Sequence, residues 1–154
     1  MEEVYRLDTR DRPGLLFAMM RALATEGGRM SLEGNLAQTE VMRLDGVVQY
    51  ETGVLKRATT EPKLDFVILP LFPTTVDAIE RAIRSKIGFG GYRGIIHAQI
   101  ESHGKLVFAA YDNFHRDCVY VGTQISSELL DRLVETKVLR NYQRVQQRSV
   151  ASRI

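Results

Sequence analysis

Residues 4–28 read VYRLDTRDRPGLLFAMMRALATEGG and contain a complete strand, turn and helix pattern. Apolar and polar residues alternate over the first five positions, which predicts a half-buried strand. Pro13 fits the first turn of a helix, and Asp11 lies where an N-cap is needed. Apolar residues then recur at helical spacing up to the closing glycine pair, so we expect an amphipathic helix over residues 13–26.

The rest of the chain continues this alternation of strands and helices. In order, the patterns predict a strand over 29–40, a strand over 64–72, a helix capped by Thr74 or Thr75, a hairpin of strands 95–101 and 105–111, a strand over 118–121, and a last helix capped by Ser126 or Ser127 that continues through Leu139 and Tyr142. Pro70 indicates that the strand over 64–72 lies at an edge of the sheet or contains a bulge. Residues 41–62 fit neither period and are interpreted as an insert.

This order of elements favours an α+β fold, the ferredoxin-like βαββαβ sandwich, with one mainly antiparallel sheet and its helices on one face. We expect a single domain over residues 1–154. Its core would be residues 1–101 with the insert 41–62, and residues 102–154 would form a C-terminal extension of hairpin, strand and helix. The sheet face without helices must be solvated or covered by a partner, so we expect a homodimer.

Composition narrows the function classes. The chain of 154 residues has 21 Lys and Arg against 19 Asp and Glu, a net charge of +2, so nucleic acid is not the expected partner. A single cysteine, Cys118, excludes an internal disulfide framework and a Cys-rich zinc site. No signal peptide or membrane-spanning run is visible, and we expect a cytoplasmic protein without a cofactor.

The turn Asp11-Arg12-Pro13-Gly14-Leu15-Leu16, set between a strand and a helix, resembles the opening of ACT domains. The resemblance covers residues 3–40 and implies a small regulatory module that senses an amino acid or another small molecule as a homodimer. It places the ligand beside the turn, at Asp11, Arg12, Gly14 and Leu15, and near the second strand, at Arg29 and Asn35 of the same or the partner chain. Serine-sensing members often carry an Asn where this chain has Arg29, and that departure favours a more anionic ligand or none.

The chemistry of the turn fits a ligand site. Gly14 has no Cβ, so a ligand can approach the backbone closely, and free N–H groups at a helix start can receive a carboxylate. Asp11 would take an ammonium group. The alternative is that Asp11 is only an N-cap and Gly14 only a turn residue.

Two other functions stay open. Arg140, Arg144 and Arg148 would form one stripe on the last helix, an interaction surface for a protein-assembly module without a small ligand. Asp112, His115 and Cys118 could instead ligate a metal or form a catalytic thiol pair in a small enzyme. Asp112 also suits a turn and Cys118 opens an apolar strand, so no catalytic residue is assigned. The glycine loop 88–94 is interpreted as a helix cap and connection, with a lid as the alternative.

Overall fold

The computed structural model describes residues 2–37, 39–86 and 94–147, apart from the side chains of residues 85 and 86. Within these ranges the chain forms seven strands, three α-helices and a short 3-10 helix. The strands are β1 (Glu2–Thr9), β2 (Arg29–Gly34), β3 (Asp65–Pro70), β4 (Ile95–Ser102), β5 (Lys105–Ala110), β6 (Val119–Gly122) and β7 (Leu139–Gln147). The helices are α1 (Arg12–Leu23), α2 (Val76–Lys86) and α3 (Ser127–Glu135), and the 3-10 helix covers Glu40–Arg43.

The strands form one sheet in the order β3-β2-β4-β5-β6-β1-β7, and every neighbouring pair is antiparallel. The predicted α+β class with an antiparallel sheet is therefore confirmed. Strands two places apart run parallel, so α2 connects β3 to β4 across β2, and α3 connects β6 to β7 across β1. None of the described helices is both long and apolar enough to cross a membrane.

The ferredoxin-like topology predicted for residues 1–101 is not confirmed. That topology needs the first strand beside other strands of the same core, whereas β1 pairs with β6 and β7. Both neighbours come from the segment that was interpreted as an extension. The physical reason is that local periodicity predicts which face of a strand is buried but carries no information about which distant strand will pair with it.

The prediction that one helix continues from Ser126 through Tyr142 is wrong. The helix α3 ends at Glu135, and Lys137 adopts a left-handed conformation with φ of 65°. In that conformation its N–H bonds to the carbonyl of Val134, which closes the helix in the way that a glycine usually does.

The basic stripe expected on that helix therefore does not exist. Arg140 and Arg144 lie on strand β7, and Arg148 lies outside the described residues.

The predicted glycine loop 88–94 also lies outside the described residues, except for Gly94. The predicted strand over 29–40 ends at Gly34, because the chain turns there into the 3-10 helix.

The two faces of the sheet are covered differently. Apolar residues of all three helices and of the strands form one large buried cluster, so the helices lie on one face as predicted. The other face is covered over β2, β3 and β4 by residues 48–64, which we call the covering segment. Leu55 of this segment is fully buried against Phe66 and Ile68. This is the role of most of the predicted insert 41–62.

The covering segment also closes the outer edge of β3. Val48 and Ile68 exchange two backbone hydrogen bonds of 3.0 and 2.8 Å. Pro70 ends the strand and offers no N–H, as the sequence led us to expect of an edge strand. The edge at β3 is therefore blocked against further pairing.

At the end of β2 the backbone of Gly34 lies very close to the backbone of Gly94, and a substitution can test this contact. A Cβ on Gly34 would lie 2.0 Å from the carbonyl oxygen of Gly94, and backbone cannot move aside as a flexible side chain can. We expect Gly34→Ala to lower the free energy of unfolding by about 1–3 kcal/mol in a urea titration. Gly53→Ala is the control, because nothing lies within 4 Å of a Cβ at Gly53. Equal stability of the two variants would contradict the close approach.

Candidate functional site

The turn that opens α1 is held together by Asp11. Its carboxylate accepts a hydrogen bond of 3.0 Å from the N–H of Gly14. A Cβ on Gly14 would lie 2.4 Å from Asp11 Oδ2, so the carboxylate occupies the space beside the glycine. Leu15 is fully buried and Arg12 is half-buried. Asp11 is thus an N-cap, and its role toward an ammonium group stays a prediction.

The six residues predicted to bind a ligand do not meet within one chain. Asp11 precedes α1 and Arg29 follows its far end, and a helix of 12 residues spans about 18 Å. The Arg29 guanidinium donates to both carboxylate oxygens of Glu101 at 2.7–3.1 Å. Asn35 follows β2, which lies four places from β1 in the sheet, or about 19 Å. One small ligand cannot contact all of them in one chain.

The segment that suggested a metal or a catalytic thiol forms a different set of contacts. The Cys118 thiol donates to Asp112 Oδ2 at 3.6 Å, so its proton is directed at the carboxylate. His115 Nδ1 accepts from the N–H of Asp117 at 3.2 Å. Among the described residues, no group of three or more His, Cys, Asp and Glu could hold a metal ion.

A row of polar side chains, all buried except Arg29, crosses β2 and β4 on the sheet face opposite the helices. The cross-strand pairs are Arg29 with Glu101, Ser31 with Gln99, and Glu33 with His97. Ser31 donates to the Gln99 side chain at 2.9 Å, and both Glu33 and His97 are only 2% exposed. Buried polar groups of this kind need internal partners, because they have lost contact with water.

The covering segment supplies those partners. Glu33 accepts hydrogen bonds from the N–H groups of Ala58 at 2.7 Å and Thr59 at 3.2 Å. His97 Nε2 lies 2.7 Å from the hydroxyl of Thr59, and its Nδ1 accepts from the N–H of Asp112 at 3.0 Å. An accepting Nδ1 means that the neutral ring carries its proton on Nε2 and donates it to Thr59.

The charge on Glu33 is set by competing effects. Burial raises the pKa of Glu33 above its ordinary value of 4.5, while the two backbone N–H groups and the Arg57 guanidinium lower it. Burial is the largest effect, so the carboxyl binds a proton more tightly in the folded state than in the unfolded chain. Both oxygens accept bonds from the covering segment, which makes Glu33 a clasp for that segment.

The turn after β5 has an unusual backbone. Asp112, Asn113 and Phe114 all adopt positive φ, at 54°, 58° and 62°. Such conformations cost roughly 1–3 kcal/mol per residue and persist only where the surroundings impose them. Here His97 holds the N–H of Asp112, and the carbonyl of Ile96 accepts the N–H of Asn113 at 2.9 Å. The turn therefore fixes the direction of the loop that leads to β6.

That loop borders an open polar cleft on the same sheet face as the polar row, over β1, β6 and β7. One lobe has a volume of about 300 Å³ and is lined by Arg6, Asp8, Arg116, Asp117, Asn141 and Gln143. A second lobe of about 270 Å³ is lined by Arg6, Asp117, Tyr120, Val145, Gln146 and Gln147. Arg6 and Asp117 border both lobes, so they lie at the middle of the cleft.

Polar contacts organise the middle of the cleft. Arg6 Nη2 donates to Gln143 Oε1 at 2.6 Å, and the Asp8 carboxylate lies 3.4 Å from the Arg140 guanidinium. The Tyr120 hydroxyl donates to the backbone carbonyl of Asp117 at 3.0 Å, and burial raises the pKa of Tyr120. The cleft is thus lined by the guanidinium groups of Arg6 and Arg116, by two carboxylates and by several amides.

Comparison of this chain with protein-family models, with curated proteins and with solved structures finds no match.

Sequence reasoning missed both the polar row and the cleft. The row had a visible signal, since polar residues alternate at positions 29, 31 and 33 and again at 97, 99 and 101. Two strands with polar residues at every second position on a buried face indicate a cross-strand polar row. The cleft had no such signal, because it depends on the pairing of β1 with β7.

The clasp predicts a dependence of stability on pH. The folded protein keeps the proton of Glu33 to a higher pH than the unfolded chain does, so the folded state binds more protons above pH 4.5. The free energy of unfolding should therefore fall as the pH rises from 4.5 through the raised pKa. We expect Glu33→Gln to remove this contribution, measured by urea titration at several pH values.

Ser31→Ala is the control for this experiment. It removes a hydrogen bond in the same polar row but no titratable group, so it should lower the stability equally at every pH. If the free energy of unfolding falls with pH equally in the wild type and in Glu33→Gln, a group other than Glu33 is responsible.

Proposed function

We propose that this protein is a binding module for a small zwitterionic metabolite of the amino-acid class, with the polar cleft as its site. The observation that carries the proposal is that Arg6 and two carboxylates, Asp8 and Asp117, line the same lobe of about 300 Å³. A volume of this order suits a small ligand. The resemblance of the opening turn to ACT domains supports the same class of function, a sensing or regulatory module.

The charges of the cleft match a zwitterion. Arg6 offers a planar set of donors to a carboxylate, and Gln143 Oε1 marks a point where a ligand oxygen would accept from Nη2. Asp8 and Asp117 border the same lobe and offer acceptors to an ammonium group. Because Arg6 and Asp8 lie two residues apart on β1, their side chains lie on the same face of the strand.

The same charges disfavour a polyanion such as nucleic acid. Two carboxylates, Asp8 and Asp117, line the lobe beside the arginines and would repel a phosphate, whereas a phosphate-binding surface needs a clear excess of cations. The lining is strongly polar, so recognition would depend on charge and hydrogen bonds more than on apolar contact. We therefore infer a ligand whose carboxylate and ammonium group are both required.

The binding proposal is tested by a thermal-shift and calorimetry screen of the amino acids. A ligand at 100 times its Kd stabilises the fold by about 2.7 kcal/mol, which for a chain of this size raises the Tm by roughly 5–10 °C. We expect Arg6→Gln to weaken binding of the best amino acid at least about tenfold, since a charge-assisted hydrogen bond is lost.

Two controls sharpen the result. Arg43→Gln removes an exposed arginine of the 3-10 helix that forms an ion pair with Glu40 at 3.4 Å, and it should leave the affinity unchanged. The matching amine and carboxylic acid, each lacking one charged group, should bind more weakly than the amino acid. A screen without a shift, or equal binding by wild type and Arg6→Gln, would refute the proposal.

A further inference from the structure

The two outer edges of the sheet differ. The edge at β3 is occupied by Val48 and ends at Pro70, whereas no strand within the described residues pairs with the outer edge of β7. The strand β7 is nine residues long and contains no proline. An edge of this length and composition is a template for another strand. We propose that its occupant is the β7 strand of a second copy of this chain, paired antiparallel about a two-fold axis.

The charges on β7 select the register of this pairing. With the axis at Gln143, all nine residues pair, and Arg144 lies opposite the partner's Tyr142. With the axis one residue earlier, Arg140 would lie opposite the partner's Arg144, and like charges in directly opposed positions are destabilising. The axis at Gln143 is therefore the register that pairs the whole strand without opposing two arginines.

The face of α3 beside this edge carries Asp131 and Glu135, so it can form an ion pair with an arginine of the second copy. A cleft of about 430 Å³ between α3 and β7 is lined by Asp131, Val134, Glu135, Asn141 and Tyr142. The Tyr142 hydroxyl donates to Asp131 Oδ1 at 2.5 Å, so Asp131 lies directly above the strand. Side chains opposed across an antiparallel pair share one face of the sheet. The partner's Arg144, opposite Tyr142, would therefore reach Asp131.

Arg144 is available for this contact. Its side chain is 57% exposed, and it lies 3.6 Å from Glu3 and over the ring of Tyr5 at 5.5 Å. Exposed ion pairs of this kind contribute little and exchange easily. The two-fold axis forms the contact twice, once from each chain. The paired sheets would form one continuous sheet with both sets of helices on the same face.

The oligomeric state is measured by light scattering and sedimentation on the full chain over a concentration series. The expected mass is twice the chain mass of 17.5 kDa. Arg144→Glu and Asp131→Arg each place like charges in both symmetric contacts, so each variant alone should raise the dimer Kd at least about tenfold. Circular dichroism and the Tm establish that both variants are folded.

The decisive measurement mixes the two variants. In a mixed pair, each of the two contacts again joins opposite charges, so an equimolar mixture should form a heterodimer with an affinity near that of the wild type. Arg43→Glu, an exposed arginine far from β7 in the sequence, is the control that should stay dimeric. A wild-type monomer would overturn the proposal, and so would a mixture that does not associate. Amino-acid binding is scored separately, so the binding proposal can fail while this one stands.

Discussion

The hydrogen bonds from Ala58 and Thr59 to the carboxylate of Glu33 are the interaction on which the covered half of the sheet depends. The covering segment has little regular structure, and its ladder pairing is limited to Val48 and Ile68. Without the clasp, the segment would be held by the apolar contacts of Leu55, the Val48–Ile68 pair and the hydrogen bonds of Lys56 and Thr59 to the polar row. The fold accepts the cost of a buried carboxyl group because the segment closes both a sheet face and a sheet edge.

The covered half and the open half of this face are connected through one loop. His97 belongs to the polar row and holds the first residue of the left-handed turn, Asp112. A few residues later, Arg116 and Asp117 border the cleft. The left-handed turn therefore connects the polar row to the loop that borders the cleft.

Single strands and helices could be predicted from the sequence better than the contacts between distant parts of the chain. β1, α1 and the hairpin of β4 and β5 follow from local periodicity, which needs no knowledge of the rest of the chain. The end of α3 was missed because Lys137, and not a glycine, adopts the left-handed conformation. The cleft was missed because Arg6 meets Gln143, 137 positions away, and no local pattern reports such a pairing. At the opening turn the sequence indicated the N-cap correctly, but the ligand role of that turn stays a prediction.

The position of β1 between β6 and β7 has a consequence for synthesis of the chain. β1 ends at Thr9, whereas β6 begins at Val119 and β7 at Leu139, so at about 5–20 residues per second the ribosome completes β1 on the order of ten seconds before its two neighbours. During that interval Tyr5, Leu7 and the apolar side of α1 have no complete sheet to bury them. Apolar surface that stays exposed during synthesis generally promotes aggregation and chaperone binding. The yield of this chain in a cell should therefore depend on how fast β6 and β7 are translated, and not only on the stability of the finished fold.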